Sequence, residues 1–126
     1  MKFETVHTCI RVKDLDASVK FYTEALGYVE TRRVDKPEDK FTLVFLSDGM
    51  SGHDLELTYN YDHGPYDLGN GFSHVAMVTD DLEAAHARHQ AMGYPVTEMY
   101  GIHGGKPNIY FITDPDGYDV EIIRRK

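Results

Sequence analysis

Cysteine, basic residues and long apolar runs are all scarce in this sequence of 126 residues. The single cysteine, Cys9, excludes an internal disulfide and suits a reducing cytosol. The 13 lysines and arginines are outnumbered by 21 aspartates and glutamates, and a net charge of -8 argues against binding to nucleic acid or an anionic membrane. Apolar stretches such as residues 43–46 are far shorter than the roughly 20 residues that span a bilayer, and residues 1–4 contain no apolar secretion segment. We therefore expect a soluble, cytoplasmic protein.

What the sequence does contain is an internal repeat. Hydrophobic residues make up 41% of the chain, enough for a real core, and the length suits one compact domain over residues 1–126. Two segments of that domain read in parallel, with a sequence offset that drifts from 67 to 65 as small loop deletions would cause. The matching pieces are His7 with His74, Asp14-Leu15 with Asp81-Leu82, Gly27-Tyr28 with Gly93-Tyr94, Phe45 with Phe111, Asp48 with Asp114, and residues 54–57 with 119–122. The pattern predicts module one over about 1–60, a connector over about 61–72 and module two over about 73–126.

The sequence predicts the same order of strands and helix in each module. The patterns predict helices over about 15–26 and 82–92, with Asp14 as one N-cap and Asp80 and Glu83 at capping-box spacing in the other. Glycine stops both helices, and a Pro-Asp-Gly turn follows Asp114. The predicted strands cover residues 7–12, 28–33, 41–46 and 54–59 in module one. In module two they cover 96–100, 108–113 and 118–123, after a first strand that corresponds to the one at His7. The fold class predicted is α+β, with two βαβββ modules forming a curved mixed sheet.

The repeat carries one histidine near the start of each module and one glutamate near its end: His7 with Glu56, and His74 with Glu121. Strand alternation puts His7, Cys9 and Arg11 on one face, and Glu56 with Asn60 on a face opposite aliphatic neighbours. A carboxylate in a half-buried strand needs compensation, which a metal would supply. Two imidazoles and two carboxylates suit several divalent ions, so the sequence predicts a metalloenzyme.

This layout resembles glyoxalase I, within the vicinal oxygen chelate superfamily, over essentially the whole chain. The resemblance rests on residues 7–12, 14–15, 21–23, 26–27, 55–60, 71–76 and 114–118. It implies paired βαβββ modules whose curved sheets form a cleft, and usually a homodimer whose active sites combine modules of both chains. It also implies metal ligands His7, Glu56, His74 and Glu121. The short chain is similar to the bacterial branch that prefers Ni²⁺ or Co²⁺, with Zn²⁺ or Mn²⁺ as other possibilities.

The same resemblance implies the reaction. A hemithioacetal formed from methylglyoxal and glutathione would be isomerised to S-lactoylglutathione through an enediolate, which detoxifies methylglyoxal. Glu121 would be the principal base, and Glu56 would serve the other enantiomer or the reprotonation step. Substrate-binding residues would be Arg11, Asn60 and His74, with the first two holding the γ-glutamyl end of glutathione.

Two positions depart from the family pattern. A lysine that commonly precedes Gly-Gly and grips the glycyl carboxylate is replaced by His103, with Lys106 close by, and Asn70 stands where some relatives have arginine. We expect His103 and Lys106 to bind substrate from a glycine-rich loop that closes over it; the alternative is an ordinary flexible hairpin without that role.

Three further residues could have functional roles, but we interpret them as structural: His86, His89 and Cys9. His86 and His89 have helical spacing suited to a metal, but are better explained by packing. Cys9 shares the predicted cavity face, and we interpret it as a packed thiol rather than a nucleophile.

Two other functions remain open from sequence. One is another enzyme of the superfamily with a different thiol or substrate, such as a dioxygenase, an epimerase or a fosfomycin thiol transferase; those enzymes generally lack a glutamate where Glu56 stands. The other is a non-catalytic small-molecule-binding dimer, which would lack a complete metal set.

Overall fold

A computed structural model describes residues 1–101 and 104–126. The chain divides into two compact units, residues 1–67 and 68–126. This division falls inside the predicted connector, so each unit contains one predicted module. That the two modules make one domain stays a prediction.

The first unit has the predicted βαβββ order around one mixed sheet. The strands lie in the order β1-β4-β3-β2, with β1 parallel to β4 and the other pairs antiparallel. Its elements are β1 (His7–Arg11), α1 (Leu15–Lys20), a π-helical turn (Phe21–Ala25), β2 (Val29–Lys36), β3 (Phe41–Ser47) and β4 (Asp54–Asn60).

The second unit has a three-stranded mixed sheet in the order β5-β7-β6, with β5 parallel and β6 antiparallel to β7. Its elements are β5 (His74–Thr79), α2 (Leu82–Ala91), β6 (Ile109–Thr113) and β7 (Asp119–Arg124). The α+β class is therefore confirmed. The continuous strand predicted over residues 96–100 is wrong, because that segment forms only isolated bridges, from Val96 to Ile112 and from Tyr100 to Ile109.

A bulged threonine explains this difference. In β2 the register shifts by one residue between Glu30 and Arg32, which leaves Thr31 as the extra residue. Its repeat counterpart, Thr97, lies between the bridges at Val96 and Tyr100, whose registers differ by one residue. There the Thr97 hydroxyl accepts the backbone N–H of Phe111 at 3.0 Å, and the Thr97 carbonyl accepts His86 Nε2 at 2.8 Å. The Thr97 carbonyl and the Phe111 N–H, which would continue the backbone hydrogen bonds between the two segments, are thus bonded to side chains instead.

The helix N-termini follow the repeat. The side chains of Asp14 and Asp81 accept the backbone N–H three residues ahead at 3.1 and 3.0 Å, as N-caps do. The capping box predicted from Asp80 is therefore wrong. The first helix also differs from prediction, because α1 widens into a π-helical turn where Phe21 and Tyr22 are both buried.

Burial alternates along β3, whereas in β4 Leu55, Glu56 and Leu57 are all buried. Leu55 and Leu57 of β4 are fully buried on one side, and Val44 and Leu46 of β3 join them. This alternation turns Glu56 toward the opposite face of the sheet. Among the described residues, none of the helices is long and apolar enough to cross a membrane.

Candidate metal centre

The first unit brings His7 and Glu56 together. Parallel pairing of β1 and β4 sets Cys9 opposite Glu56, so His7 lies two residues away on the same face. His7 Nε2 is 3.0 Å from Glu56 Oε1, and only 11% of the glutamate side chain is exposed. A carboxylate this buried requires a compensating partner, and here the imidazole provides it.

The second unit brings His74 and Glu121 together in the same way. β5 pairs with β7 so that Ala76 lies opposite Glu121. His74 Nε2 is 3.1 Å from Glu121 Oε1, and 14% of this glutamate side chain is exposed. The His74 ring has a further partner, because its Nδ1 is 2.6 Å from Ser73 Oγ.

A phenylalanine completes the shared arrangement. Phe45 lies opposite Glu56 in the register of β3 and β4, and Phe111 lies opposite Glu121 in that of β6 and β7. Each ring meets its histidine edge to face, at centroid distances of 5.7 and 5.1 Å. The repeat predicted from sequence is therefore a repeat of side-chain geometry as well.

Both pairs fit the spacing of metal ligands. At metal–donor distances of about 2.0–2.2 Å, two donors that meet an ion at a right angle lie about 3 Å apart. The N–O distances of 3.0 and 3.1 Å satisfy this condition with the ligand types that borderline divalent ions accept. Within the described part of the chain, no group of three His, Cys, Asp or Glu side chains could hold a metal ion. Each His–Glu pair therefore offers an ion two donors.

Cys9 lies beside the first pair. Its Sγ is 3.1 Å from the hydroxyl of Thr58, which in turn is 3.4 Å from Glu56 Oε2. Burial raises the pKa of the Cys9 thiol, and the hydrogen bond from Thr58 offsets this only in part. A thiol with a raised pKa is a poor nucleophile. The residue is exposed in this chain, so its interpretation as a packed thiol stays a prediction.

The predicted substrate-binding residues of the first unit lie on two neighbouring strands. Arg11 is exposed at the end of β1, and Asn60 is half-buried at the end of β4. Asn60 does more than end a strand, because its Nδ2 donates to the hydroxyl of Tyr66 at 2.9 Å.

Only part of the glycine-rich segment lies within the described residues. His103 lies outside the described residues. Lys106 is exposed and its charge acts on Glu83, whose carboxylate is bonded by Arg124. The described surroundings of Lys106 therefore include the start of α2.

His86 and His89 each have a partner within the second unit. His86 donates to the carbonyl of Thr97, as described above, and His89 Nδ1 is 2.8 Å from the buried hydroxyl of Tyr110. Burial raises the pKa of Tyr110, so this phenol stays neutral. These contacts agree with packing roles for both histidines.

Two contacts of the site were missed by sequence reasoning. Ser73 precedes His74, and its small hydroxyl side chain was the only available signal for a bond to the ring. Tyr66 lies in the connector, where glycine and proline suggested only a turn. Its position six residues after Asn60 gave no periodic signal.

Two α+β modules, each presenting an imidazole and a carboxylate at ligand spacing, have the arrangement of a metal-dependent enzyme. Residues 5–122 match the Glyoxalase/Bleomycin resistance protein/Dioxygenase superfamily. The chain is 42% identical to the lactoylglutathione lyase of Haemophilus influenzae, over 98% of this chain and 93% of that protein. It is 43% identical to a probable lactoylglutathione lyase of Vibrio parahaemolyticus, over 96% and 90%.

Solved structures agree with these relatives. The trypanothione-dependent glyoxalase I of Leishmania major superposes with a TM-score of 0.87 at 41% identity, covering 98% of this chain and 87% of that one. The chain therefore belongs to the Glyoxalase/Bleomycin resistance protein/Dioxygenase superfamily. Similarity to glyoxalase I within it implies a divalent metal cofactor.

Proposed function

We propose that this protein is a metal-dependent lactoylglutathione lyase, which isomerises the methylglyoxal–glutathione hemithioacetal to S-lactoylglutathione and so detoxifies methylglyoxal. Relatives with that name match nearly the whole chain at 42–43% identity. The observation that carries the proposal is the pair of His–Glu contacts at 3.0 and 3.1 Å, formed by equivalent residues of the repeat.

The metal ligands are His7, Glu56, His74 and Glu121, and the preferred ions are Ni²⁺ and Co²⁺, with Zn²⁺ and Mn²⁺ as alternatives. When bound, such an ion stabilises the negative charge that develops on substrate oxygens after deprotonation. Two carboxylates beside one dication also leave the ligand set near neutral, so an oxygen of the substrate is not repelled.

A homodimer supplies the complete ligand set. Each unit holds two donors, whereas catalytic metal sites in proteins generally use three or more protein ligands. In a dimer with two-fold symmetry, the pair from one chain joins the complementary pair of its partner, and the symmetry creates two equal sites. The single Cys9 suits a cytoplasmic location for such a dimer.

The chain's own residues move the proton. Glu121 takes the proton from C1 of the hemithioacetal and returns it to C2, because its carboxylate accepts and donates at one face of the substrate. Glu56 performs the same step on the opposite enantiomer or assists reprotonation. In the metal-free protein, the Nε2 of each histidine lies against one oxygen of its paired carboxylate, which holds the two donors at ligand spacing before a metal binds.

Arg11 and Asn60 bind the γ-glutamyl end of the thiol, and the loop that contains His103 and Lys106 binds its other end. The relatives differ in the thiol that their names describe, since glutathione appears in those of the bacterial enzymes and trypanothione in that of the Leishmania enzyme. Glutathione is our assignment for this protein.

Metal replacement tests the proposal. The protein is stripped with a chelator, loaded separately with nickel, cobalt, zinc or manganese, and assayed for thioester formation from methylglyoxal with glutathione and, in parallel, with trypanothione. We expect activity with glutathione in the nickel and cobalt forms and none in the stripped protein. Metal binding without turnover of either thiol would contradict the proposal and favour another enzyme of the superfamily, whereas failure to bind metal would favour a non-catalytic binder.

A further inference from the structure

A chain of side-chain contacts runs from Asn60 through Tyr66 to His63 in the first unit, and neither the metal ligands nor the proton transfer uses it. The Asn60 amide donates to the Tyr66 hydroxyl at 2.9 Å. The Tyr66 ring lies parallel to the His63 ring, with a centroid distance of 4.1 Å and an interplanar angle of 16°. We propose that Tyr66, supported by His63, is a positioning residue that fixes Asn60 for the α-amino-acid end of the thiol. This inference rests on the proposed function.

The loop after β4 is folded so that Tyr66 returns to the strand it follows. Asp62 and Gly64 both have positive φ values, of 59° and 81°, a conformation that a non-glycine residue adopts rarely. The two reversals bring a residue six positions later back to Asn60. A backbone conformation of this kind persists only where surrounding contacts favour it.

Asn60 needs such support because of its position. It is the last residue of β4, on the same side of the strand as Glu56 by alternation, and it is half-buried. An asparagine side chain rotates readily about its terminal bond, and its amide can present either nitrogen or oxygen to a ligand. The bond to Tyr66 engages one N–H and leaves the carbonyl oxygen and the second N–H to face a ligand.

Those remaining groups match an α-amino-acid end. The asparagine oxygen accepts from an ammonium group, and its N–H donates to a carboxylate. Stacking with His63 disfavours a change of the Tyr66 χ1 rotamer, which would carry the hydroxyl away from the amide. Tyr66 therefore acts on substrate affinity through Asn60 and has no part in proton transfer.

The test compares Tyr66→Phe with wild type in steady-state assays of the metal-loaded enzyme with the glutathione hemithioacetal. Losing one hydrogen bond to the amide should raise KM about three- to tenfold, with kcat within about twofold. The control is Tyr61→Phe, which removes a hydroxyl bonded to Thr42 at 2.8 Å in the same unit and should leave both constants unchanged. Thermal melting of both variants monitors folding.

A double-mutant cycle separates positioning from general destabilisation. In an Asn60→Ala background, Tyr66→Phe should raise KM no further, because the side chain that it positions is gone. An equal rise in both backgrounds would overturn the inference, as would a Tyr66→Phe enzyme with the wild-type KM. If the wild-type enzyme is active, these two results contradict only the role of Tyr66, and the proposed function is unaffected. If the metal-loaded wild type has no activity, the proposed function itself is contradicted.

Discussion

The two units place histidine, glutamate and phenylalanine in equivalent arrangements, yet they support the histidine differently. In the second unit, Ser73 Oγ lies 2.6 Å from His74 Nδ1. In the first unit, the residue before His7 is the exposed Val6, and among the described residues no hydrogen bond reaches His7 Nδ1. A hydrogen bond at the far ring nitrogen fixes the tautomer and the ring orientation of a metal-binding histidine. The second pair is therefore the more firmly preorganised of the two.

The phenylalanines differ in their neighbours as well. The Arg32 guanidinium lies 5.0 Å from the centroid of the Phe45 ring. Its repeat counterpart is Glu98, so the second unit places an acidic residue at the position where the first places a cation. In the second unit this position therefore supplies no cation to the equivalent phenylalanine, Phe111.

The largest effect is expected when the two glutamates are exchanged for glutamine separately. Glu121→Gln should lower kcat at least about 100-fold, because an amide cannot serve as the base. Glu56→Gln should lower kcat less with the preferred enantiomer. The measurement is turnover together with metal content by elemental analysis, since both variants should keep some metal. Equal losses would remove the distinction, and near wild-type turnover of metal-replete Glu121→Gln would contradict its role as base.

The hydrogen bond at Nδ1 can be removed from one unit and added to the other. Ser73→Ala should weaken metal affinity about tenfold, since supporting bonds to metal-binding histidines have effects of that size. Val6→Ser places a hydroxyl before His7 and should strengthen affinity by less. Competition with a chelating dye measures both. If Ser73→Ala bound metal as tightly as wild type, the bond to His74 would have no supporting role.

The cation over Phe45 should have a modest effect. Arg32→Ala should reduce the free energy of unfolding of the metal-free protein by about 0.5–1 kcal/mol, as expected for an exposed cation–π contact. Urea denaturation measures it. Arg32→Lys is the matched control, because it keeps the charge and should recover part of the loss. An unchanged midpoint for Arg32→Ala would show that the contact adds nothing to stability.

The smallest effect concerns an ion pair and pH. Arg124, bonded at 2.6 Å, lowers the pKa of Glu83 from 4.5 to about 2 and links β7 to α2. A carboxyl with a lowered pKa stabilises the fold above its unfolded value, and this contribution is lost as the pH falls from about 4.5 to about 2. The loss should be small because the pair is exposed.

Glu83→Gln should therefore flatten the pH dependence of metal-free stability between pH 2 and 5, measured by urea denaturation. Glu30→Gln is the comparison, since Arg33 lowers the pKa of Glu30 but the two residues belong to the same strand. It should change that slope less, because its ion pair joins no second element. Parallel curves for Glu83→Gln and wild type would contradict a role for the pair with Arg124.

Much of this arrangement could be predicted because the repeat and the strand period act together. A two-residue period fixes which face His7 and Glu56 share, and duplication transfers the result to His74 and Glu121. The same repeat contained the signal for the cap at Asp81, which local capping-box spacing obscured. The bulge at Thr97 could not be predicted, since it depends on a carbonyl bonded to a histidine eleven positions earlier in the chain.

That bulge also affects what the second sheet exposes at its margin. A regular outer strand would present successive amides and carbonyls onto which a foreign peptide could add by main-chain pairing. Residues 96–100 bridge to β6 only at Val96 and Tyr100, and the Thr97 carbonyl is bonded to His86, so this border is not a continuous strand. We expect it to be a poorer template for a foreign strand than a regular outer strand would be.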